Sequence, residues 1–394
     1  TCSDLFLQAT LLQGAEKGLA DILSASAELD ILTLVGLPVR HNAKLYNCAA
    51  VVCRGELLGL VPKTYLPNYG EFYEKRHFVP AMREAECIEF AGQETLIGTD
   101  LLFACKQLPD FVLGVEVCED LWAPVPPSCR HALAGATVIA NLSASDETVG
   151  KADYRRALVC GQSARLLTAY LYADAGHGES TTDMTFAAHN LIAENGSLLS
   201  EARPFAGGAA VTELDVSRLQ QERMRNTSFC PETTGYTTVE FELRDEKISL
   251  TRPVSPTPFV PQDTAARAER CELILRIQAE GLAKRMEHTH AKCAVVGISG
   301  GLDSCLALLV AVRACKVLGR DAKDIVALTM PCFGTTKRTR SNAEILCEAL
   351  GVSFGEINIT KTVQSHFADI GQNPESYDVT FENCQARVRT LELM

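Results

Sequence analysis

The chain has 394 residues, a formal net charge of −12 and 47% hydrophobic residues. That length allows two or three domains, and the apolar content predicts well-filled cores. The acidic charge argues against a nucleic-acid scaffold, and no apolar run approaches the ~18 residues of a membrane span. We therefore expect neither nucleic acid nor a membrane among its partners.

Short apolar runs alternate with helical patterns through residues 1–250. Helices are predicted from Asp4 onward, over Arg155–Leu167 and over Asp215–Met224. The predicted strands, in chain order, are Ile31–Val39, Tyr46–Cys53, Glu56–Val61, Phe111–Cys118, Thr137–Leu142, Leu171–Asp174, Asn190–Ile192 and Ala209–Leu214.

A proline-rich segment marks a domain boundary. Four prolines fall within residues 253–262, which excludes regular helix or central strand there. Beyond it the predicted elements are the helix Thr264–Glu287, the strand Ala294–Ile298, the helix Ser304–Val317, the strand Ile325–Met330, the helix Ser341–Leu350 and the strand Phe354–Ile357. This alternation predicts a parallel, doubly wound α/β sheet. We therefore divide the chain into a domain at 1–250, a linker at 251–263 and a second domain at 264–394.

The sixteen cysteines contain no Cys-x-x-Cys pair, so a zinc ribbon or a thioredoxin-like site has no support. Many fall in apolar segments and are predicted to be buried, for example Cys48, Cys53, Cys160, Cys293 and Cys315. Free thiols in such number favour a reducing compartment, hence the cytoplasm. His288 and His290 have no third ligand nearby and are interpreted as a solvated helix end.

The segment Ser299–Ser304 reads Ser-Gly-Gly-Leu-Asp-Ser and joins a predicted buried strand to a helix. Its glycines let backbone N–H groups approach an anion, and the helix N-terminus adds positive partial charge. Its serine hydroxyls can bind phosphate oxygens, and Asp303 can hold Mg²⁺. The Gly-Lys-Ser/Thr ending of a Walker A loop is missing. The alternative to a phosphate-binding loop is an ordinary glycine turn that caps the helix. The pattern resembles the pyrophosphate loop of the ATP pyrophosphatase family, which implies adenylation of a substrate with release of pyrophosphate.

A second candidate site lies in the first domain, where a predicted buried strand ends at Cys118. The alternative interpretation is that Cys118 is one more buried core cysteine. Three neighbouring segments favour a nucleophile: Lys63 after a strand, the aromatic and acidic stretch Tyr69–Phe78, and the strand end Asn141–Ser145. This set resembles the nitrilase superfamily. The resemblance implies an α-β-β-α sandwich and a catalytic Glu, Lys and Cys, of which Lys63 and Cys118 match two.

The chemistry fits these residue types. A nearby ammonium lowers the pKa of a thiol and stabilises an oxyanion, while a carboxylate moves the proton to the leaving amine. The resemblance places the catalytic glutamate just upstream of Thr1, with Glu71 and Glu74 as candidates for an auxiliary second glutamate. We therefore expect an internal piece of a longer protein, cut at both ends.

Together the two sites resemble the glutamine-dependent NAD⁺ synthetase family. The segments that carry the resemblance are Thr1–Gln8, Pro62–Phe78, Gly114–Trp122, Asn141–Arg156, Gly297–Ser304, Thr329–Asn342 and Phe381–Arg389. It implies a ligase with glutamine as amido donor: deamido-NAD⁺, ATP, glutamine and water give NAD⁺, AMP, pyrophosphate and glutamate. It also implies a nitrilase-like sandwich followed by an incomplete Rossmann-like domain.

The resemblance assigns site residues by position. Lys63 and Cys118 would be catalytic. Glutamine would be bound by Tyr69, Glu119, Ser145 and Lys151. ATP would be bound by Gly297, Ile298, Ser299, Gly300, Gly301, Leu302, Asp303, Ser304 and Met330, with Mg²⁺ on Asp303 and residues 330–335 beside the adenine. Asn383 would contact deamido-NAD⁺.

Two other functions stay open at this point. The chain could be a nucleotide-binding fragment without turnover, or an amidase fused to another ATP pyrophosphatase ligase, for example one acting on tRNA. The acidic charge weighs against a tRNA substrate. The resemblance further implies a homo-oligomer, and it places later contacts to ATP and the dinucleotide beyond Met394.

Overall fold

A computed structural model describes residues 2–176, 178–179, 184–244, 249–333 and 337–394, without the side chains of residues 337–341. The chain divides into two units, Thr1–Pro253 and Val254–Met394. The predicted linker at 251–263 spans this division, and residues 249–263 contain neither helix nor strand.

The described residues of the first unit form two β-sheets with helices outside them. The five-stranded sheet has the order β1-β2-β3-β5-β4, and the seven-stranded sheet has the order β11-β10-β9-β8-β7-β6-β12. The strands are β1 (Leu32–His41), β2 (Lys44–Cys53), β3 (Glu56–Pro62), β4 (Glu86–Phe90), β5 (Gln93–Ile97), β6 (Leu101–Cys105), β7 (Val112–Val117), β8 (Val138–Ser143), β9 (Ala169–Asp174), β10 (Asn190–Glu194), β11 (Ser197–Ala202) and β12 (Thr237–Phe241). The helices are α1 (Ala9–Ser26), α2 (Pro127–Ala134), α3 (Lys151–Leu166) and α4 (Val216–Arg225).

Three apolar clusters show how these layers stack. One lies between the sheets and joins β2 and β3 to β6, β7 and β8, with Val51 and Phe103 both fully buried. Another packs Leu19 and Leu23 of α1 on the outer face of the five-stranded sheet. The third packs Val159 of α3 on the outer face of the other sheet. The predicted α-β-β-α sandwich is therefore confirmed.

Strands β7, β8 and β9 are parallel neighbours in the seven-stranded sheet. The carboxyl ends of parallel strands meet at one edge, so the segments that follow these strands lie side by side. Residues from all three chain segments therefore meet there, although they are far apart in sequence.

The predicted strand at Ala209–Leu214 is wrong, because these residues form no strand. Next to β10 lies β11 instead, joined to it by a tight turn in which Asn195 and Gly196 have φ of 45° and 84°. An Asn-Gly pair between two strands is the usual signal for such a hairpin. At the other edge, β12 pairs in parallel with β6.

The second unit contains a parallel sheet whose order among the described residues is β13 (Ala294–Gly297), β14 (Ile325–Thr329), β15 (Ser353–Glu356). Its helices are α5 (Thr264–His288), α6 (Leu302–Val317), α7 (Lys337–Leu350), α8 (Thr360–Ile370) and α9 (Val379–Leu393). One apolar cluster joins α5, α6 and α7 to β14, and another joins α8 and α9. On the opposite face of β13, the last turn of α9 packs against Gly297. The predicted parallel α/β sheet is confirmed.

All sixteen cysteines are free thiols. Cys48, Cys53 and Cys315 are buried as predicted, Cys160 is partly exposed, and the prediction is wrong for Cys293, which is exposed. In the described residues, no helix is both long enough and apolar enough to span a membrane.

Gly114 of β7 provides a test of the packing that carries Cys118. A Cβ at Gly114 would lie 2.8 Å from the Cβ of His131 on α2, so Gly114→Ala forces the helix away from the sheet. We expect a loss of about 1–3 kcal/mol in unfolding free energy. The chain's single tryptophan, Trp122, lies in this unit and reports its unfolding by fluorescence in a denaturant titration.

Gly14→Ala is the matched control, because nothing lies within 4 Å of a Cβ at that position of α1. It should stabilise the helix by about 0.5–1 kcal/mol, since alanine has the higher helix propensity. Equal stability of both variants and the parent would contradict the close packing of α2 on β7.

Candidate active sites

The junction between the two sheets brings Lys63 and Cys118 together. Lys63 follows β3 of the five-stranded sheet, and Cys118 follows β7 of the other. The carboxylate of Asp120 joins the two strand ends, because it accepts backbone N–H bonds from Val117 (2.9 Å) and Tyr65 (2.7 Å). Asp120 is buried, and burial raises its pKa to about 7.

Lys63 is buried and makes an ion pair with Glu74, with 2.5 Å between Nζ and Oε2. Burial disfavours the charge of Lys63, but Cys118 and Glu74 outweigh this and hold its pKa above the usual value. Asn47 donates a second hydrogen bond to Glu74, at 2.7 Å. Glu74 therefore holds the ammonium in place, whereas the other auxiliary candidate, Glu71, is exposed.

Cys118 has a φ of 49°, an uncommon conformation for a residue with a side chain. Its backbone N–H donates to Oδ1 of Asn141 at 2.9 Å, which fixes the residue against the end of β8. Burial raises the pKa of the thiol, while the Lys63 charge, the Ala144 N–H and the Ser143 hydroxyl lower it. The net direction is upward, so nucleophilic attack needs a base to remove the thiol proton.

The four predicted glutamine-binding residues lie on three segments around this junction. The Tyr69 hydroxyl donates to Glu119 at 2.7 Å, and Tyr69 itself is exposed. Ser145 is buried just beyond β8. Lys151 is the first residue of α3; it pairs with Asp146, and its ammonium lies 5.5 Å from the Trp122 ring centroid.

The sequence assigned no role to Asp120 or Asn141. Asp120 stands two residues after Cys118, and Asn141 lies two residues before the end of β8; these positions are the signals that could have singled them out. Asp120 accepts backbone N–H bonds from its own strand end and from residues after β3 of the other sheet, and Asn141 accepts the backbone N–H of Cys118. The sequence does not show which strand ends lie together.

The second candidate site lies in the other unit, where β13 leads through Ile298–Gly301 into α6. Gly300 has a φ of 79°, which favours glycine. The hydroxyls of Ser299 and Ser304 lie 3.1 Å apart, and Ser304 donates to the Gly301 carbonyl at 3.0 Å. The loop is therefore a compact turn at the positive end of a helix, which is suited to an anion.

The remaining predicted ATP residues differ in exposure. Leu302 and Asp303 are exposed in the first turn of α6, whereas the Ile298 side chain is buried and leaves only its backbone for a ligand. Gly297 is closely surrounded, because a Cβ at this position would lie 3.1 Å from Met330 Cε and from Leu393. Residues 334 and 335 of the predicted adenine segment lie outside the described residues, as does Thr1.

Asn383 lies on α9, where its side-chain amide donates to the Val379 carbonyl at 3.0 Å. The side chain is exposed. The contact of Asn383 with a dinucleotide stays a prediction.

Comparison with known proteins adds family matches for both parts of the chain. The model of the carbon-nitrogen hydrolase family matches residues 2–224, and the model of NAD synthase matches residues 274–394. Curated relatives called glutamine-dependent NAD⁺ synthetase include proteins from Mycobacterium tuberculosis strain H37Rv (44% identity over 98% of this chain and 59% of the relative) and Thermotoga maritima (29% identity over 99% of this chain and 63% of the relative). A relative of the same name from Mycobacterium leprae is 44% identical over 98% of this chain and 59% of its own length.

The chain thus spans about three fifths of the length of these curated relatives. The first family model covers more than half of the 394 residues, and its match includes Lys63, Glu74 and Cys118. The chain therefore belongs to the carbon-nitrogen hydrolase family, and a segment that matches NAD synthase follows the hydrolase part.

Proposed function

We propose that this chain carries the glutaminase site and the adenylating site of a glutamine-dependent NAD⁺ synthetase. The observation that carries the proposal is the Cys118 thiol beside the Lys63 ammonium, in the same chain as the Ser299–Ser304 loop. The relatives that bear this name align with nearly the whole chain, which supports the pairing of the two chemistries. The proposed glutaminase domain is residues 1–250, and the proposed synthetase domain is residues 264–394.

At the first site, the Cys118 sulfur attacks the side-chain amide carbon of glutamine. The Lys63 ammonium stabilises the thiolate and then the oxyanion, because the two charges meet in a buried setting. A carbon–sulfur bond forms, the carbon–nitrogen bond breaks, and the thiol proton passes to the leaving nitrogen to give ammonia. Water then hydrolyses the thioester to glutamate. The base, a glutamate upstream of Thr1, stays a prediction.

Glutamine binding would use the four residues that surround Cys118. The Tyr69–Glu119 hydrogen bond presents a carboxylate next to the nucleophile, which can receive an α-ammonium group. Lys151 can attract the α-carboxylate, although it lacks the planar fork of an arginine and already pairs with Asp146. Ser145 would supply a hydroxyl, which accepts a hydrogen bond from Arg155.

At the second site, ATP would activate the nicotinate carboxylate of deamido-NAD⁺ as an adenylate, which ammonia then converts to the amide. Ser299 and Ser304 and the N–H groups at the start of α6 would bind the pyrophosphate. Asn383 would contact the dinucleotide. Activation is needed because a carboxylate is a poor electrophile at neutral pH.

Asp303 is the residue we propose to hold Mg²⁺ at this loop. Within the described ranges, no group of three or more His, Cys, Asp or Glu side chains gathers as a metal site. That fits Mg²⁺, which commonly takes one or two protein carboxylates together with substrate phosphates and water. When bound, the ion would neutralise charge on the pyrophosphate.

The sixteen free thiols support a reducing compartment, so we place the protein in the cytoplasm. A homo-oligomer stays a prediction. The competing functions, a fragment without turnover and an amidase fused to another ligase, make different predictions in the assays below.

Two substitutions separate the two proposed activities. Cys118→Ala should reduce glutamine-dependent NAD⁺ formation by about 10³-fold or more, because it removes the nucleophile, and leave formation from ammonium chloride within about twofold. Asp303→Ala should reduce both by about 10²-fold, because both need the adenylate. Glutamate and NAD⁺ are measured for this chain and for the complete open reading frame that contains it.

Cys160→Ala is the control, since Cys160 is another partly exposed thiol of the same unit. It should leave both rates unchanged. We expect this chain alone to hydrolyse glutamine very poorly. Full glutaminase activity in Cys118→Ala would refute the role of Cys118 as the nucleophile. If the product of the complete reading frame amidates a carboxylate other than deamido-NAD⁺, the proposed NAD⁺ synthetase activity is wrong.

Gly300→Ala tests whether the Ser299–Ser304 loop binds ATP. The φ of 79° at Gly300 strains any residue with a Cβ, and the Cβ also intrudes where a phosphate must approach the backbone. We expect ATP affinity, measured by calorimetry with Mg²⁺ present, to fall about tenfold. Gly319→Ala carries a similar strain at φ 66° after α6 and should leave ATP affinity unchanged. Equal affinity of the Gly300 variant and the parent would remove the loop from the ATP site.

A further inference from the structure

The turn that follows β8 lies beside Cys118. The Ser143 hydroxyl and the Cys118 backbone N–H both donate to Oδ1 of Asn141, at 2.7 and 2.9 Å. The Ala144 N–H and the Ser143 hydroxyl also lower the pKa of the Cys118 thiol. A displaced turn would lose both contributions, so the reactivity of Cys118 depends on how firmly residues 143–145 are held.

Asp174, at the end of β9, holds one side of this turn. It lies opposite Ser143 in the parallel register of β8 and β9. Its Oδ1 accepts the Ser145 N–H at 2.9 Å, and the next residue, Ala175, donates its N–H to the Ser143 carbonyl at 2.9 Å. Asn190 of β10 accepts the backbone N–H of Asp174 at 2.8 Å, which fixes Asp174 in turn.

Arg155 of α3 holds the other side. This fully buried guanidinium donates from Nη2 to the Ser145 hydroxyl and to the Asp146 carbonyl, each at 3.4 Å. From Nη1 it donates to Glu147 and to Nδ1 of His189, each at 2.8 Å. Ser145 therefore lies between a carboxylate and a guanidinium.

His189 orients Arg155, and the hydrogen bond between them fixes the tautomer of the His189 ring. A guanidinium only donates hydrogen bonds, so Nδ1 of His189 must be the acceptor. Nε2 then carries the proton and donates to Glu201 at 2.8 Å. Burial lowers the pKa of His189, which agrees with a neutral ring in this position.

The polar side chains of Asp174, Arg155, His189 and Tyr172 form a cluster that is costly to bury. Burial raises the pKa of Asp174 to about 7. Among the described residues, Arg155 Nε, Tyr172 OH and Asp174 Oδ2 are buried without a hydrogen-bond partner. Apolar residues would pack between α3 and β9 at lower cost, so the cluster is better explained by what it positions than by stability.

We propose that Asp174 is a positioning residue for the nucleophile, and that it acts by holding the turn 143–145 against Cys118. The inference rests on the proposed role of Cys118 in glutamine hydrolysis. Asp174 does not touch the sulfur; its effect passes through the Ser145 N–H to the Ala144 N–H next to it.

The test measures the rate at which iodoacetamide alkylates Cys118, by peptide mass spectrometry over a range of pH. Asp174→Ala releases the turn and should move the midpoint of the alkylation profile upward by about one pH unit, with about tenfold slower reaction at pH 7. Asp174→Asn keeps a carbonyl oxygen for the Ser145 N–H and should stay near the parent profile.

Glu194→Gln is the matched control, because Glu194 is also buried but pairs with Ala169 at the opposite end of β9. Trp122 fluorescence checks that each variant is folded. The titratable groups that influence Cys118 directly or face it, Lys63, Glu74, Tyr69 and Tyr172, are the same in every variant.

An unchanged midpoint in Asp174→Ala, or an equal shift in Glu194→Gln, would overturn the positioning role. A separate arm adds glutamine, which should slow alkylation of Cys118 but not of the exposed Cys87 and Cys230. If glutamine does not protect a Cys118 that responds to Asp174→Ala, the positioning role stands and the glutamine site is wrong.

Discussion

One buried carboxylate determines where the candidate catalytic groups of the first unit meet. Asp120 follows β7 and accepts backbone N–H bonds from both its own strand end and the residues after β3. These bonds tie the two sheets together at one point. Lys63 and Cys118 flank that point on opposite sheets, so their proximity follows from the backbone rather than from long side chains. Since Asp120 is buried, losing one of its partners would leave a polar group unsatisfied.

The parallel order of β7, β8 and β9 adds the other half of the site. Cys118 ends the first strand, the turn at 143–145 ends the second, and Asp174 ends the third. The three strand ends contribute, in order, the Cys118 thiol, the turn beside it, and the carboxylate that holds this turn. In the second unit the same rule applies, because the Ser299–Ser304 loop ends the first strand of a parallel sheet.

The sequence alone placed Lys63, Cys118 and the Ser299–Ser304 loop after the ends of strands, and the structure confirms these positions. A lysine or cysteine directly after an apolar strand, and two glycines between a strand and a helix, are patterns within a dozen residues. It did not reveal β4, β5 or β6, and it placed a strand at 209–214 where none forms. Short strands are defined by their partners: β12 pairs with β6 across more than 130 residues. The support around Cys118 was missed for the same reason, since Asp174 and Arg155 matter only once β8, β9 and α3 are neighbours.

The most direct test of the proposed glutaminase site is a covalent one. A chloromethyl ketone analogue of glutamine should bind as the proposed substrate would and alkylate the thiol proposed to attack it. We expect one adduct, on the peptide that contains Cys118; glutamine should suppress its formation, and Lys63→Met should slow it. Adducts spread over the exposed cysteines, or an adduct on Cys118 that forms equally fast without Lys63, would contradict the proposed site.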